Sequence, residues 1–101
     1  MKKIKSILQE DMEHCYLCGK NASFEPLDWH HIFGGANKTH SEEYGLMVLL
    51  HHRSCHIFGK DSVHQNAETM KMLKAEAQRK AMQVYGMSID EFIKIFGRNY
   101  L

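Results

Sequence analysis

The chain carries no excess of either charge. Its formal net charge is only +1 at pH 7, so overall basicity does not mark a nucleic-acid binder, and any DNA contact must come from local clusters. It also lacks a long hydrophobic run. The longest apolar stretch, Gly45 to Leu50, is far short of the roughly 20 residues a membrane span needs. Met1-Lys2-Lys3-Ile4-Lys5 is broken by polar residues before any signal-like core develops. A cytoplasmic protein with no membrane partner is therefore expected. Cysteines number three, an odd count that does not build a secreted disulfide framework. Repeats, low-complexity tracts and a domain linker are missing too, so residues 1–101 are expected to form a single domain. Its apolar fraction of 44% and charged fraction of 25% are ordinary for a globular chain. A domain this small buries a modest share of its surface, and a metal or a partner is often recruited to secure such a fold.

What is present falls into α+β order. Ile4, Ile7, Leu8 and Met12 recur at helical spacing and predict a short amphipathic helix over residues 3–13, although its lysines come first and its acids last, against the helix dipole. Cys15 to Asn21 reads as a tight metal-binding turn, with Gly19 giving the backbone freedom. After Pro26, the run Leu27 to Phe33 is aromatic and β-branched, stops at Gly34-Gly35 and predicts a strand. Residues 34–44 read as a polar loop, Gly45 to Leu50 as a buried strand, and Arg53 to Gly59 as a short helix. Asn66 as N-cap and Gly86 as C-cap bound a long helix with Met70, Leu73, Ala77, Ala81 and Val84 on its apolar stripe. Ser88 to Glu91 is a capping box for a last helix over 89–96, with Ile89, Phe92, Ile93 and Phe96 expected inward. Trp29 and Phe33 are expected in the core.

Two pairs of soft ligands share one spacing. Cys15 and Cys18 are separated by two residues, and so are His52 and Cys55. Four such donors suit a tetrahedral structural zinc site, and the spacing selects His52 over its neighbour His51, which is the alternative ligand. A redox pair at Cys15 and Cys18 is a competing reading, but it needs a strand-to-helix setting that the residues before Cys15 do not suggest. His30 and His31 are adjacent, so in a strand they point to opposite faces and can take different tasks. His56 directly follows Cys55, so a zinc site there would hold it in place.

This order resembles the HNH endonucleases, the ββα-metal or His-Me finger family. The matching segments are Cys15 to Cys18, His30-His31-Ile32, Leu46 to Leu50, and His52 to His56, about residues 14 to 60. His-His-Ile-Phe-Gly-Gly, together with Val63-His64-Gln65-Asn66, is similar to small phage-encoded HNH proteins, including relatives of the phage recombination-enhancement nuclease. The resemblance implies a zinc-stabilised ββα-metal core over 14–60, an N-terminal helix, and two C-terminal helices within 66–97. It implies DNA phosphodiester hydrolysis with His31 as general base, and His30 and His56 holding a catalytic Mg2+, Mn2+ or similar ion. His64 and Asp61 are further candidates for metal or phosphate contact. It also implies a phage- or prophage-encoded protein in the bacterial cytoplasm, with DNA as partner. Apart from the resemblance, the apolar extras Met72, Met82, Met87 and the Tyr100-Leu101 tail offer an interface to an identical chain, as a homodimer, or to larger phage or host recombination or packaging machinery, with the oligomeric state left open. One position departs from the pattern: Gly45 stands where the family often carries Asn, with Asn37 and Asn66 as substitutes in space.

Residues 71–80 hold four cations against one acid, so Lys71 and Lys74 are candidate DNA contacts, joined by Lys38, Arg53 and Lys60 near the proposed site. Nothing reads bases, which points to non-specific or structure-directed cutting. The alternative is a non-catalytic zinc-stabilised module that grips DNA or a protein. The set His30, His31 and His56 separates the two readings, because a structural zinc site needs none of them.

Overall fold

The structure is a computed structural model that describes residues 6–60 and 62–101. The first part of the helix expected over 3–13, and Asp61 entirely, lie outside the described residues. Two strands, β1 (Leu27–His31) and β2 (Met47–His51), pair antiparallel, with Leu27 opposite His51 and His31 opposite Met47. Both strands appear where the sequence places them, β1 ending two residues early because the chain turns after His31. The period of two sorts the hairpin into two faces. Asp28 and His30 share a face with Val48 and Leu50, which belong to the hydrophobic core; Leu27, Trp29 and His31 share the other with Met47, Leu49 and His51.

A two-stranded ribbon is marginal in water unless something packs on it. Here β2 is buried along its whole length. Its inner face joins Ile32, Phe33 and the helices α2 (Ala67–Tyr85) and α3 (Ile89–Phe96) in one core. Leu73, Ala77 and Ala81 are the buried stripe of α2, as the spacing predicts, whereas Val84 is exposed because the last turn of α2 runs past the core. Phe92 and Phe96 are buried on α3 and stack at 4.6 Å, with Phe33 4.8 Å from Phe96. Ile89 lies outside this cluster and is exposed. The caps are those expected: the Asn66 side chain accepts from the amides of Glu68 and Thr69, Ser88 and Glu91 form a capping box, and Gly86 takes the left-handed conformation at φ +65°. No helix among the described residues is long and apolar enough to cross a membrane.

Three expectations are corrected. Residues 6–13 form no helix. Ser6 Oγ accepts from the amides of Leu8 and Gln9, bending the chain, and the segment instead covers the free edge of β2: Ile7 N–H donates to Gly45 O, and the buried Gln9 side chain accepts from Leu49 N–H. Unpaired strand groups take precedence over a helix whose charges oppose its dipole. Residues 34–44 are not a loop throughout, since a 3-10 turn at Gly35–Asn37 leads into helix α1 (Lys38–Tyr44). Within α1, Ser41 is buried and its hydroxyl bridges the backbone of Phe33 in both directions, at 3.0 and 2.7 Å. Trp29 is 40% exposed, because it stands on the face of β1 away from the main core.

The short helix expected over Arg53–Gly59 is a π-helical turn at His52–Ile57, entered directly from β2. Glu25 caps it, its carboxylate accepting from the amides of Arg53 and Ser54 and from Ser54 Oγ. Gly59 ends it by close approach: a β-carbon there would stand 1.9 Å from the Ser54 carbonyl oxygen. Gly59→Ala is therefore expected to displace the turn and lower stability by roughly 1–3 kcal/mol, read from the urea midpoint.

Candidate metal centres

The first cluster is built by three pieces of chain. Cys15 and Cys18 lie on a turn closed by Gly19 N–H to Cys15 O and Cys15 N–H to Lys20 O, with Gly19 at φ +76°. Cys55 comes from the π-helical turn. The fourth member is His51, not His52: Cys15, Cys18, His51 and Cys55 offer ligand atoms all within 4.8 Å of one another. His51 Nδ1 lies 3.2 Å from Cys18 Sγ and 4.0 Å from Cys55 Sγ. Its Nε2 is 2.7 Å from the Asn21 carbonyl. That carbonyl can only accept, so Nε2 carries the proton and Nδ1 keeps its lone pair for the sulfurs' side. Phe24 lies against the ring at 4.4 Å, and His51 is fully buried.

The choice between the two histidines follows from the strand. Matched spacing assumes that His52 and Cys55 share one tight turn, but β2 extends through His51 and its alternation aims His51 at the knuckle. His52 opens the π-helical turn and points elsewhere, its Nδ1 2.5 Å from Asp28 Oδ2. Burial opposes ionisation of Cys15, yet hydrogen bonds from the backbone at Cys18, His51 and Leu17 outweigh it and hold the thiol down to about 7. Burial and the adjacent sulfurs of Cys15 and Cys18 hold Cys55 up. Three thiols and an imidazole set in this way fit zinc. His51→Ala is expected to abolish zinc retention, while His52→Ala keeps it; metal analysis after gel filtration distinguishes them.

A second cluster lies on the core-facing side of the hairpin. His30, His56 and His64 bring their ligand nitrogens within the same 4.8 Å limit, with ring centroids 4.8–5.5 Å apart. Each is held by backbone. His30 is fixed by pairing with Val48, His56 by the π-helical turn that holds Cys55, and His64 by its amide donating to the His56 carbonyl at 3.2 Å. His30 is 5% exposed, and its Nε2 has no hydrogen-bond partner among the described residues. A buried imidazole nitrogen without a partner is expensive. Burial, reinforced by His56, His64, His31 and Lys74, pushes the His30 pKa down to about 3, and burial with His56 lowers that of His64. At neutral pH both rings are thus uncharged and carry lone pairs.

Asp28 borders this cluster, one step along the same face of β1. Its Oδ2 accepts from His52 Nδ1 and, at 3.2 Å, from His56 Nδ1. Burial opposes its ionisation, but these two hydrogen bonds prevail and keep its carboxyl below the usual range. The bond to Asp28 places the His56 proton on Nδ1 and leaves Nε2 free to bind a cation. Asp28, His52 and His56 also lie close enough together to share an ion.

Sequence reasoning had His30 and His56 together and missed Asp28, although its place two residues before His30 on one strand face was readable. His31 falls on the opposite face, its Nε2 2.8 Å from Glu42 Oε2. Of the two asparagines expected to substitute for a side chain that Gly45 lacks, Asn37 donates to the Phe96 carbonyl and Asn66 caps α2. Of the candidate DNA contacts, Lys74 is half-buried beside Tyr100 and near enough to act on His30. Arg53, on the π-helical turn, lies over the exposed ring of Phe58 that follows it, and Lys38, Lys60 and Lys71 are exposed.

The molecule is thus an α+β protein in which, among the described residues, a Cys/His cluster and a cluster of three histidines adjoin through consecutive residues, Cys55 and His56. No family model, curated protein or solved structure matches the chain.

Proposed function

We propose that the chain is a metal-dependent endonuclease of the HNH type that hydrolyses DNA phosphodiester bonds. One observation carries the reading: a strand histidine, His30, is buried beside two further histidines with no partner for its Nε2 among the described residues, an arrangement that a purely structural protein gains nothing from keeping. In this reading β1, β2 and the helical turn after them are the ββα-metal core. The Cys15, Cys18, His51 and Cys55 site holds zinc as scaffold, and His30, His56 and His64 hold Mg2+, Mn2+ or a similar ion. Such an ion neutralises charge on the scissile phosphate and the leaving oxygen.

The residues divide the remaining work. His31 accepts a proton from water as the water oxygen bonds to phosphorus and the bond to the leaving sugar oxygen breaks; that oxygen is protonated from solvent. Asp28 keeps His56 in the metal-binding tautomer. Lys74 and Arg53, beside the two site elements, attract the phosphate backbone. The decisive experiment is cleavage of plasmid and single-stranded DNA with added Mg2+ or Mn2+. The expected result is metal-dependent nicking that His31→Ala removes. DNA binding without cutting under every ion tested would replace this reading with that of a zinc-stabilised binding module.

A further inference from the structure

The family pattern has Asn where this chain has Gly45, and the local structure gives Gly45 another task. It ends α1 in the left-handed conformation, φ +72°, its amide returning to Glu42 and Ser41 carbonyls. Asn and Gly are the residues that accept this conformation most readily, so the exchange preserves the backbone. What it removes is a polar side chain near the general base. Three residues upstream, α1 carries Glu42 to His31 instead.

The pair is set by backbone from both sides. His31 closes the β1–β2 ladder opposite Met47, and Ile32 N–H continues it to Leu46 O. Glu42 adjoins Ser41, whose buried hydroxyl clamps α1 to Phe33, two residues beyond His31. Glu42 Oε2 then lies 2.8 Å from His31 Nε2, with the His31 side chain 21% exposed. The neighbouring acid, Glu43, is engaged by His40 at 3.1 Å. An ionised carboxylate only accepts, so the proton of a neutral His31 resides on Nε2 and the lone pair on Nδ1.

We infer that Glu42 is the positioning residue of the general base: its hydrogen bond to Nε2 fixes the orientation and tautomer of His31, leaving Nδ1 to take the proton from water. The inference rests on the nuclease reading. Glu42 itself touches neither DNA nor the ion and takes no proton.

The test compares Glu42→Ala and Glu42→Gln with the unaltered 101-residue chain loaded with zinc and Mn2+. Glutamine keeps an acceptor oxygen for Nε2–H, and alanine does not. Glu42→Ala is expected to lower kcat about 10- to 100-fold with KM for DNA and Mn2+ affinity unchanged, and Glu42→Gln to recover most of the loss. Nitrogen-15 histidine NMR is expected to find the Nε2–H tautomer of His31 in the unaltered chain and in Glu42→Gln, and a mixture in Glu42→Ala. An unchanged kcat in Glu42→Ala, a loss confined to KM, or an Nδ1–H tautomer in the unaltered chain overturns the inference and leaves the nuclease standing. An unaltered chain that cuts nothing with any ion overturns the nuclease reading, and this inference with it. If Glu42→Ala does not fold, Glu42→Gln carries the test, and a full loss of kcat there also overturns it.

Discussion

With zinc in the site that Cys15, Cys18, His51 and Cys55 could form, chelation, or Cys15→Ser, is expected to unfold the chain at room temperature, with helical circular dichroism collapsing in one transition and metal analysis falling from one zinc per chain to none. The magnitude follows from comparing two terms. Structural zinc sites of this ligand type bind with apparent free energies of roughly 10–16 kcal/mol, and a domain has roughly 5–15 kcal/mol of stability in total. Little else holds the first half of the molecule. Residues 6–26 contain no helix or strand of length, and the sheet has only two strands. A zinc ion held by Cys15 and Cys18 would connect this segment to β2 through His51 and to the π-helical turn through Cys55. Loss of the ion frees all three pieces and releases His56 from its place. The result that would sink the assignment is a chelated protein with an unchanged melting curve, which would show that the α2–α3 core suffices.

The second large effect separates stability from activity at one residue. On the nuclease reading, His30→Leu and His31→Ala are each expected to lower DNA cutting by at least about 10²-fold. Their stabilities are expected to differ. The unpartnered Nε2 of His30 sits in the core at a penalty of roughly 1–3 kcal/mol, which Leu removes at similar volume. His30→Leu should therefore melt at a higher temperature than the unaltered chain when zinc is present and no second ion is added. His31 is bonded to Glu42 on the outer face and carries no such penalty, so His31→Ala should melt at or slightly below the unaltered value. A residue whose removal both stabilises and inactivates is the mark of a site kept for function. Equal destabilisation by both changes would instead make His30 an ordinary packing residue.

Several features were readable from local chemistry alone. Asn66, Gly86, Ser88 and Glu91 bound α2 and α3 because capping depends on side chains within one turn of the position they serve. β1 was readable from its aromatic and β-branched content and β2 from a short apolar run bounded by Gly45 and the His51-His52 pair, and the separation of His30 and His31 onto opposite faces followed from a period of two, which needs no tertiary information. Cys15, Cys18 and Cys55 declared a metal ligand set by residue type.

The tertiary structure decided what depends on where chain segments meet. His51 replaced His52 as the fourth ligand because β2 runs one residue further than its apolar run, and spacing cannot locate the end of a strand. The segment over 6–13 became an edge cover because β2 had groups to satisfy that a reading of that segment alone does not see. α1 was hidden in a polar stretch of low helical periodicity, and with it Glu42, the partner of His31. The sequence determined that this chain carries cysteines and histidines able to hold metal and that His30 lies on a strand; packing decided which histidine belongs to which set, because burial and hydrogen-bond direction are properties of neighbours and not of spacing.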